Sequence, residues 1–340
     1  MSGDRHTFIA RKLLAFLTLS LALFSPTASA WDSTGHRISA AIALAYISED
    51  TRDELLAVLA AHPRYQEDFL AQVPDFVDRD NANAMALWLL GQAAYWPDIA
   101  RGLPGQARRR FNRPPWHYTD GAWMRGATRI QGNVYVDLPP FPDLNGRSAQ
   151  SITSENDVSN VVTAIDYNAS LLFDTQADPA QRAVALCWVL HLIGDIHQPL
   201  HAGSLFSSDT FNDGDRGGNG IPVGDRNLHS RWDRALAKNG VLAELELILG
   251  QLATAESSTP DAEAMDWTLW LNESRELLQL AVYADFIVAE IRDAEAEDRS
   301  MRPLDLSADY VAQMQDISRQ RLGLAGKRLG LLFEANFAGQ

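Results

Sequence analysis

Residues Arg182–His201 read RAVALCWVLHLIGDIHQPLH, an apolar run that passes straight into three histidines and an aspartate. With no polar face in its first half, the segment reads as a core helix. Pro199 cannot sit in a helix interior, so the helix is predicted to end near Gln198, with His201 on the turn that follows. His191 and Asp195 are four apart and share a helix face, which aims an imidazole and a carboxylate at one point. His201 would point to an adjacent place.

Helical periodicity extends over much of the remaining chain. From Val311, the positions Met314, Leu322, Ala325, Leu329 and Leu332 keep to one face. Trp270, Leu277, Ala281, Ala284, Val288 and Ile291 do the same in the preceding segment, with Asp266 placed as its N-cap. TRDE at Thr51–Glu54 has the form of a capping box, and SENDVSNVVTAIDYNASLLF (Ser154–Phe173) supplies another helix. Strand signals are few: IQGNVYVDL (Ile130–Leu138) alternates weakly around a Gly/Asn pair and suggests a small hairpin or an extended loop. Pro/Gly-rich loops at RPPWH (Arg113–His117), DLPPFPDLNG (137–146) and SSDTFNDGDRGGNGIPVGD (207–225) fall between helices, and none has the character of an interdomain linker. The expectation is an all-α fold: one multi-helix domain over 31–340 with few or no strands.

At the start of the chain, Arg5, Arg11 and Lys12 precede LLAFLTLSLALF, and ASA closes at Ala30. This is the pattern of a secretory signal peptide over 1–30, cleaved after Ala30. Its apolar run of 12 residues falls short of the ~20 a membrane span needs. The expected product begins at Trp31, is secreted or periplasmic, and has no membrane anchor. The leader carries three Lys/Arg and one Asp, so the net charge of −15 becomes −17 without it. Such a chain lacks the basic footprint of a nucleic-acid binder or of a protein docked on anionic lipid, unless bound cations reverse the sign locally. Cys187 is the sole cysteine, which rules out an intramolecular disulfide and leaves stability to core burial or metals.

The spacing of His191 and Asp195 recurs in NLHSRWD, His229 with Asp233, at the start of another predicted helix. One His-x-x-x-Asp is most often a surface hydrogen bond, but imidazole and carboxylate paired twice is what zinc takes. WPDIAR adds Asp98, WHYTD adds His117, and WDSTGH, the first six residues after the expected cleavage, adds His36. His62 has no such company and is expected to face solvent; His197 is expected to be a hydrogen-bonding neighbour and not a ligand.

The order Trp31, His36, Asp98, His117, His191, Asp195, His201, His229, Asp233, with HLIGDIHQPLH, GGN and NLHSRWD, resembles the trinuclear-zinc, single-strand-specific nuclease and 3'-nucleotidase family. That family includes the type I nucleases of fungi and plants, with bacterial relatives, in the superfamily of zinc-dependent phospholipase C. The resemblance covers essentially the whole chain after the leader and implies three Zn²⁺ per chain. Asp98, His117, His191 and Asp195 would hold one. The α-amino and carbonyl groups of Trp31, with His36 and a shared Asp195, would hold a second; His201, His229 and Asp233 would hold the third. A free amine at Trp31 would make leader removal part of building the site.

The resemblance further implies a monomeric endonuclease cutting single-stranded DNA and RNA to 5'-phosphorylated products, and leaves open whether 3'-mononucleotides are substrates. Asp98 and Arg101 would be catalytic, with Arg101 steadying charge on the phosphoryl oxygens. Tyr118, Asp120 and Asn219 would bind the base, an aromatic face being tolerant of any base. Three zincs against Asp98, Asp195 and Asp233 leave a local +3, which reconciles an acidic chain with a phosphate substrate and little tracking along duplex. Asp32 stands where the family commonly has glycine, Pro97 where it has a small residue, and the loop 202–218 is long. Two alternatives stand beside this reading. A zinc-dependent phospholipase C typically ends its ligand set in His-x-x-x-Glu, where this chain has Asp233; a non-catalytic exported zinc-binding protein would hold metal without turnover.

Overall fold

The computed structural model describes residues 31–119, 134–136, 154–254 and 266–338. Its helices are α1 (Ser33–Leu44), α2 (Glu49–Ala60), α3 (Ala82–Arg101), α4 (Gly105–Phe111), α5 (Val161–Phe173), α6 (Pro179–Ile196), α7 (Leu228–Asp233), α8 (Val241–Thr254), α9 (Trp267–Leu277), α10 (Asp285–Ala296) and α11 (Ala308–Phe337). Strands among the described residues are two residues each: β1 (Val134–Tyr135) pairs in parallel with β2 (Leu205–Phe206), and β3 (Pro222–Val223) pairs antiparallel with β4 (Arg226–Asn227). The fold is all-α, as expected. None of the described helices is long and apolar enough to cross a membrane.

The apolar run that begins at Arg182 becomes α6, the central helix. Residues 185–196 are buried without interruption, and α1, α2, α3, α5 and α11 pack around it. A helix lacking a polar face finds no stable place at a surface, so its composition dictates that position. Asp178 caps its start by accepting from the Gln181 amide, with Pro179 in the first turn. It ends at Ile196, and Pro199 opens a separate 3₁₀ turn, Pro199–His201, as the proline requires.

Apolar side chains gather in two cores. One surrounds α6 and holds Leu55, Trp96, Trp188, Trp270 and Phe333; the other holds Trp31, Ile42, Trp232, Ile287 and Met314. Helices α1 and α11 contribute to both, which welds them into one unit. Their backbones approach closely because Gly326 and Gly330 face α1. A Cβ at Gly326 would stand 2.4 Å from Ile42 Cβ and 2.7 Å from the Ser39 carbonyl oxygen.

Several expectations change. The first cap belongs to Ser48, which accepts from Thr51 N, so α2 begins before the TRDE box. Asp266 does cap α9 through Leu269 N, but the single long helix expected after it is broken. The chain passes through a π turn at Leu278–Val282 and leaves helical geometry at Tyr283. Two hydroxyls account for the break: Tyr310 donates to the Val282 carbonyl at 2.7 Å, and Tyr283 donates to Asp215 at 2.9 Å. Val134–Tyr135, expected in a small hairpin or an extended loop, is extended and pairs in parallel with Leu205–Phe206. The other expected parts of that segment, like the leader, lie outside the described residues. His62 is not at the surface. It is buried edge-on to Trp96 at 4.4 Å, and desolvation holds its pKa down at about 3.

Candidate metal centre

Helix α6 and the turn after it deliver His191, Asp195 and His201, α7 delivers His229 and Asp233, α1 delivers His36, and the last turn of α3 delivers Asp98. His117 ends the short 3₁₀ turn Pro114–His117. All eight side chains are buried. Residues nearly two hundred positions apart in sequence thus converge, and the expected ligand side chains are all brought together.

Three of the histidines are aimed by a backbone carbonyl. His191 Nδ1 donates to Ala94 O at 2.8 Å, His201 Nδ1 to His117 O at 2.7 Å, and His229 Nδ1 to Gly217 O at 2.5 Å. Donating from Nδ1 fixes the tautomer and leaves the Nε2 lone pair pointing inward, the orientation a metal-ligating imidazole needs. Each carbonyl belongs to a segment carrying or adjoining other site residues, so the groups position one another.

Asp195 lies at the middle. Its Oδ2 is 3.1 Å from both His117 Nδ1 and His191 Nε2, and those two nitrogens are 2.9 Å apart. Four ligands at ~2.0–2.1 Å in a tetrahedron stand ~3.3 Å from one another, so this triangle has nearly the dimensions of one face of a zinc shell. The other oxygen, Oδ1, faces His36 Nε2 at 3.5 Å. In the second pole, Asp233 Oδ2 is 3.4 Å from His229 Nε2 and Asp233 Oδ1 is 3.9 Å from His201 Nε2. Ligand atoms gather in three groups within 4.8 Å: His117, His191 and Asp195; His201, His229 and Asp233; and His36 with Asp98 and His191. The last grouping puts His36 beside Asp98, which the family resemblance allots to a different ion.

Around this centre the sequence departures have local explanations. Asp32 caps α1, its Oδ1 accepting from Thr34 N at 3.0 Å, while its own amide donates to Asp233 O at 3.1 Å. Trp31 is buried and its indole N–H donates to Gly194 O at 3.0 Å. Gly194, one residue before Asp195, lies against His36: a Cβ there would stand 3.0 Å from His36 Nδ1. Arg101 reaches back one turn to Asp98 at 2.9 Å. The long loop 202–218 is ordered by buried Asp215, which accepts from Leu205 N at 2.8 Å and Gly218 N at 2.9 Å. Gly217 and Gly218, both at positive φ, then bring the backbone against His229, with a Cβ at Gly217 falling 2.4 Å from Leu200 O.

Sequence reasoning missed these supports. It also missed Gln198, which donates to Asp233 Oδ1 at 2.7 Å, although it lies within the opening stretch. A further network is invisible in sequence because its parts are far apart. Arg328 and Arg321 on α11 both donate to Glu273 on α9, at 2.6–2.7 Å. Arg328 also donates to His197 Nε2 at 2.8 Å while His197 Nδ1 donates to Ile193 O. His197 is therefore a hydrogen-bonding neighbour, as expected, and α11 is tied to the residue that closes α6.

Of the expected base-binding residues, Asn219 lines an open cleft of about 1060 Å³ whose inner wall includes His229 and Asp233. Tyr118 follows His117 and is exposed, outside the residues lining that cleft. Asp120 lies outside the described residues.

The charge balance of the centre asks for a cation. Burial pushes Asp195 up to about 6 and Asp233 well above the usual carboxylate range. Burial, reinforced by nearby positive groups, holds His36, His117 and His201 well below the ordinary imidazole value; at His191 burial is outweighed by Asp195 and the pKa rises. Both nitrogens of His36, Nε2 of His117 and of His201, Asp195 Oδ1 and Asp233 Oδ2 are buried without a hydrogen-bond partner among the described residues. Neutral imidazoles and carboxylates converging on one point, several of their inward atoms unsatisfied, fit a divalent cation of the zinc type.

An all-α fold wrapped around a buried His/Asp centre beside an open cleft defines the class: a metal-dependent hydrolase. The S1/P1 Nuclease family model matches residues 31–338, and the chain belongs to that family. Endonuclease 4 of Arabidopsis thaliana is 24% identical over 353 residues, covering 100% of this chain and 98% of that protein. Nuclease S1 of Aspergillus oryzae is 26% identical over 179 residues, 49% of this chain and 59% of that protein. The protein is thus a nuclease, a hydrolytic phosphodiesterase acting on nucleic acid.

Proposed function

We propose that residues 31–340, released from a leader over 1–30, form an exported, monomeric endonuclease. It hydrolyses single-stranded DNA and RNA to 5'-phosphorylated products with three zinc ions per chain. The ligand sets are Asp98, His117, His191 and Asp195; the Trp31 amine and carbonyl with His36 and Asp195; and His201, His229 and Asp233. The observation that carries this reading is the convergence of His and Asp ligand atoms from six segments, several of them buried without a hydrogen-bond partner among the described residues. Zinc held there supplies Lewis acidity and lets water act as a nucleophile near neutral pH. Arg101, oriented by Asp98, steadies charge on the phosphoryl oxygens, while Tyr118, Asp120 and Asn219 bind the base; 3'-mononucleotides are a second substrate class.

Metal content and mononucleotide release test this together. Protein starting at Trp31 should hold about three zincs and release 5'-mononucleotides from single-stranded DNA and RNA. One extra N-terminal residue should remove a zinc and the activity. Bound zinc with hydrolysis of phosphatidylcholine instead would favour the phospholipase, and bound zinc with no turnover of any phosphoester would favour the non-catalytic zinc binder.

A further inference from the structure

The cleft beside His229 and Asp233 does not end there. A second cavity of about 550 Å³ adjoins it, and the two share Arg226, Ser230, Arg234 and Ala237 as a common wall. Lys238 and Arg231 also line this second cavity. In a chain of strong negative charge, many of the described arginines pair with carboxylates, as Arg64 does with Asp68 and Arg319 with Glu244. Arg226, Arg234 and Lys238 are exposed and make no ion pair within 4.0 Å among the described residues. The acidic groups on these walls are largely committed elsewhere. Asp225 binds Arg231 at 2.7 Å, Asp32 caps α1, and Asp233 belongs to the centre, leaving Asp305 against three cations.

We propose that this wall is a phosphate rail for a single nucleic-acid strand: with one phosphate at the His229–Asp233 end, its neighbours along the strand lie on Arg234 and Arg226, and the next on Lys238. The inference rests on the nuclease reading. It gives an acidic protein a cationic lane confined to one direction out of the centre, which a strand can follow only if it is longer than a dinucleotide.

The test compares zinc-loaded wild type with the triple variant Arg226→Gln, Arg234→Gln, Lys238→Gln. Substrates are a thymidine 20-mer and the dinucleotide TpT, across 50–200 mM salt. Each phosphate contact on a single strand adds ~0.7 to the salt slope of log affinity, so three contacts add about 2, or roughly 20-fold over that range. The advantage of the 20-mer over TpT in kcat/KM should fall steeply with salt in wild type and should be smaller and flatter in the variant, through KM. Fluorescence anisotropy with a labelled, cleavage-resistant phosphorothioate 20-mer should show the same change of slope. Wild-type slopes in the variant by both readouts overturn the rail. If wild type cleaves neither substrate, the nuclease reading fails, and the anisotropy slopes alone decide the rail.

Discussion

Substituting Gly194 with alanine tests whether His36 serves the metal centre. On the present backbone the added Cβ falls 3.0 Å from His36 Nδ1 and 3.3 Å from Cε1. Relaxed contacts lie at ~3.5–4.0 Å, so the imidazole must move by about half an ångström. It has little room to do so, because its ring stacks on His191 with centroids 3.9 Å apart. Metal–ligand distances tolerate only ~0.2 Å, and disturbing the groups that position a ligand costs ~10–100-fold in affinity, about 1.4–2.7 kcal/mol. The fold itself should survive with a net loss of at most about 2 kcal/mol, since a gain of about 1 kcal/mol in helix propensity stands against an overpacking cost of about 1–3 kcal/mol. Chelator competition would measure affinity and stoichiometry, and urea unfolding of the metal-free protein would measure stability. Wild-type affinity and stoichiometry in an intact Gly194→Ala fold would refute the reasoning. So would collapse of the metal-free fold, because the cost would then lie in general packing.

Acid sensitivity should trace partly to His62. Its folded pKa, about 3, lies below the unfolded value of ~6.5, so the unfolded chain binds the extra proton between them. The stability this neutral imidazole preserves is complete well above pH ~6.5 and is lost as pH falls toward 3, by roughly 2 kcal/mol between 6.5 and 4.5. His62→Asn should flatten that slope in urea unfolding at stepped pH, and an unchanged slope would remove His62 from the account. Arg328→Met leaves Glu273 and His197 short of a donor and should cost about 3 kcal/mol, at the low end for a broken buried pair because Arg321 still holds Glu273. A loss under about 1 kcal/mol by denaturant titration would show that the network is not structural.

Local chemistry made much of this legible beforehand. A faceless apolar run becomes the central helix, Pro199 stops it, and His191 and Asp195 share a face whatever surrounds them. Asp266 caps where it stands because an N-cap is decided within four residues. Features that depended on partners from elsewhere were not legible. The break at Tyr283 needs Tyr310 and Asp215; the burial of His62 needs Trp96; the parallel pairing of Val134–Tyr135 needs Leu205–Phe206. Within the centre, residue identities could be named from sequence, while the adjacency of His36 and Asp98 emerges only when α1 and α3 pack.

The close crossing of α1 and α11 bears on the order in which the molecule is made. A polypeptide leaves the ribosome with its N-terminal end first, and Gly326 follows His36 by about 290 positions. Until that distant helix emerges, the flank of α1 that it covers, on the helix that carries His36, stands bare. A chain cut short ahead of its last helix would present His36 on a helix that lacks this packing partner.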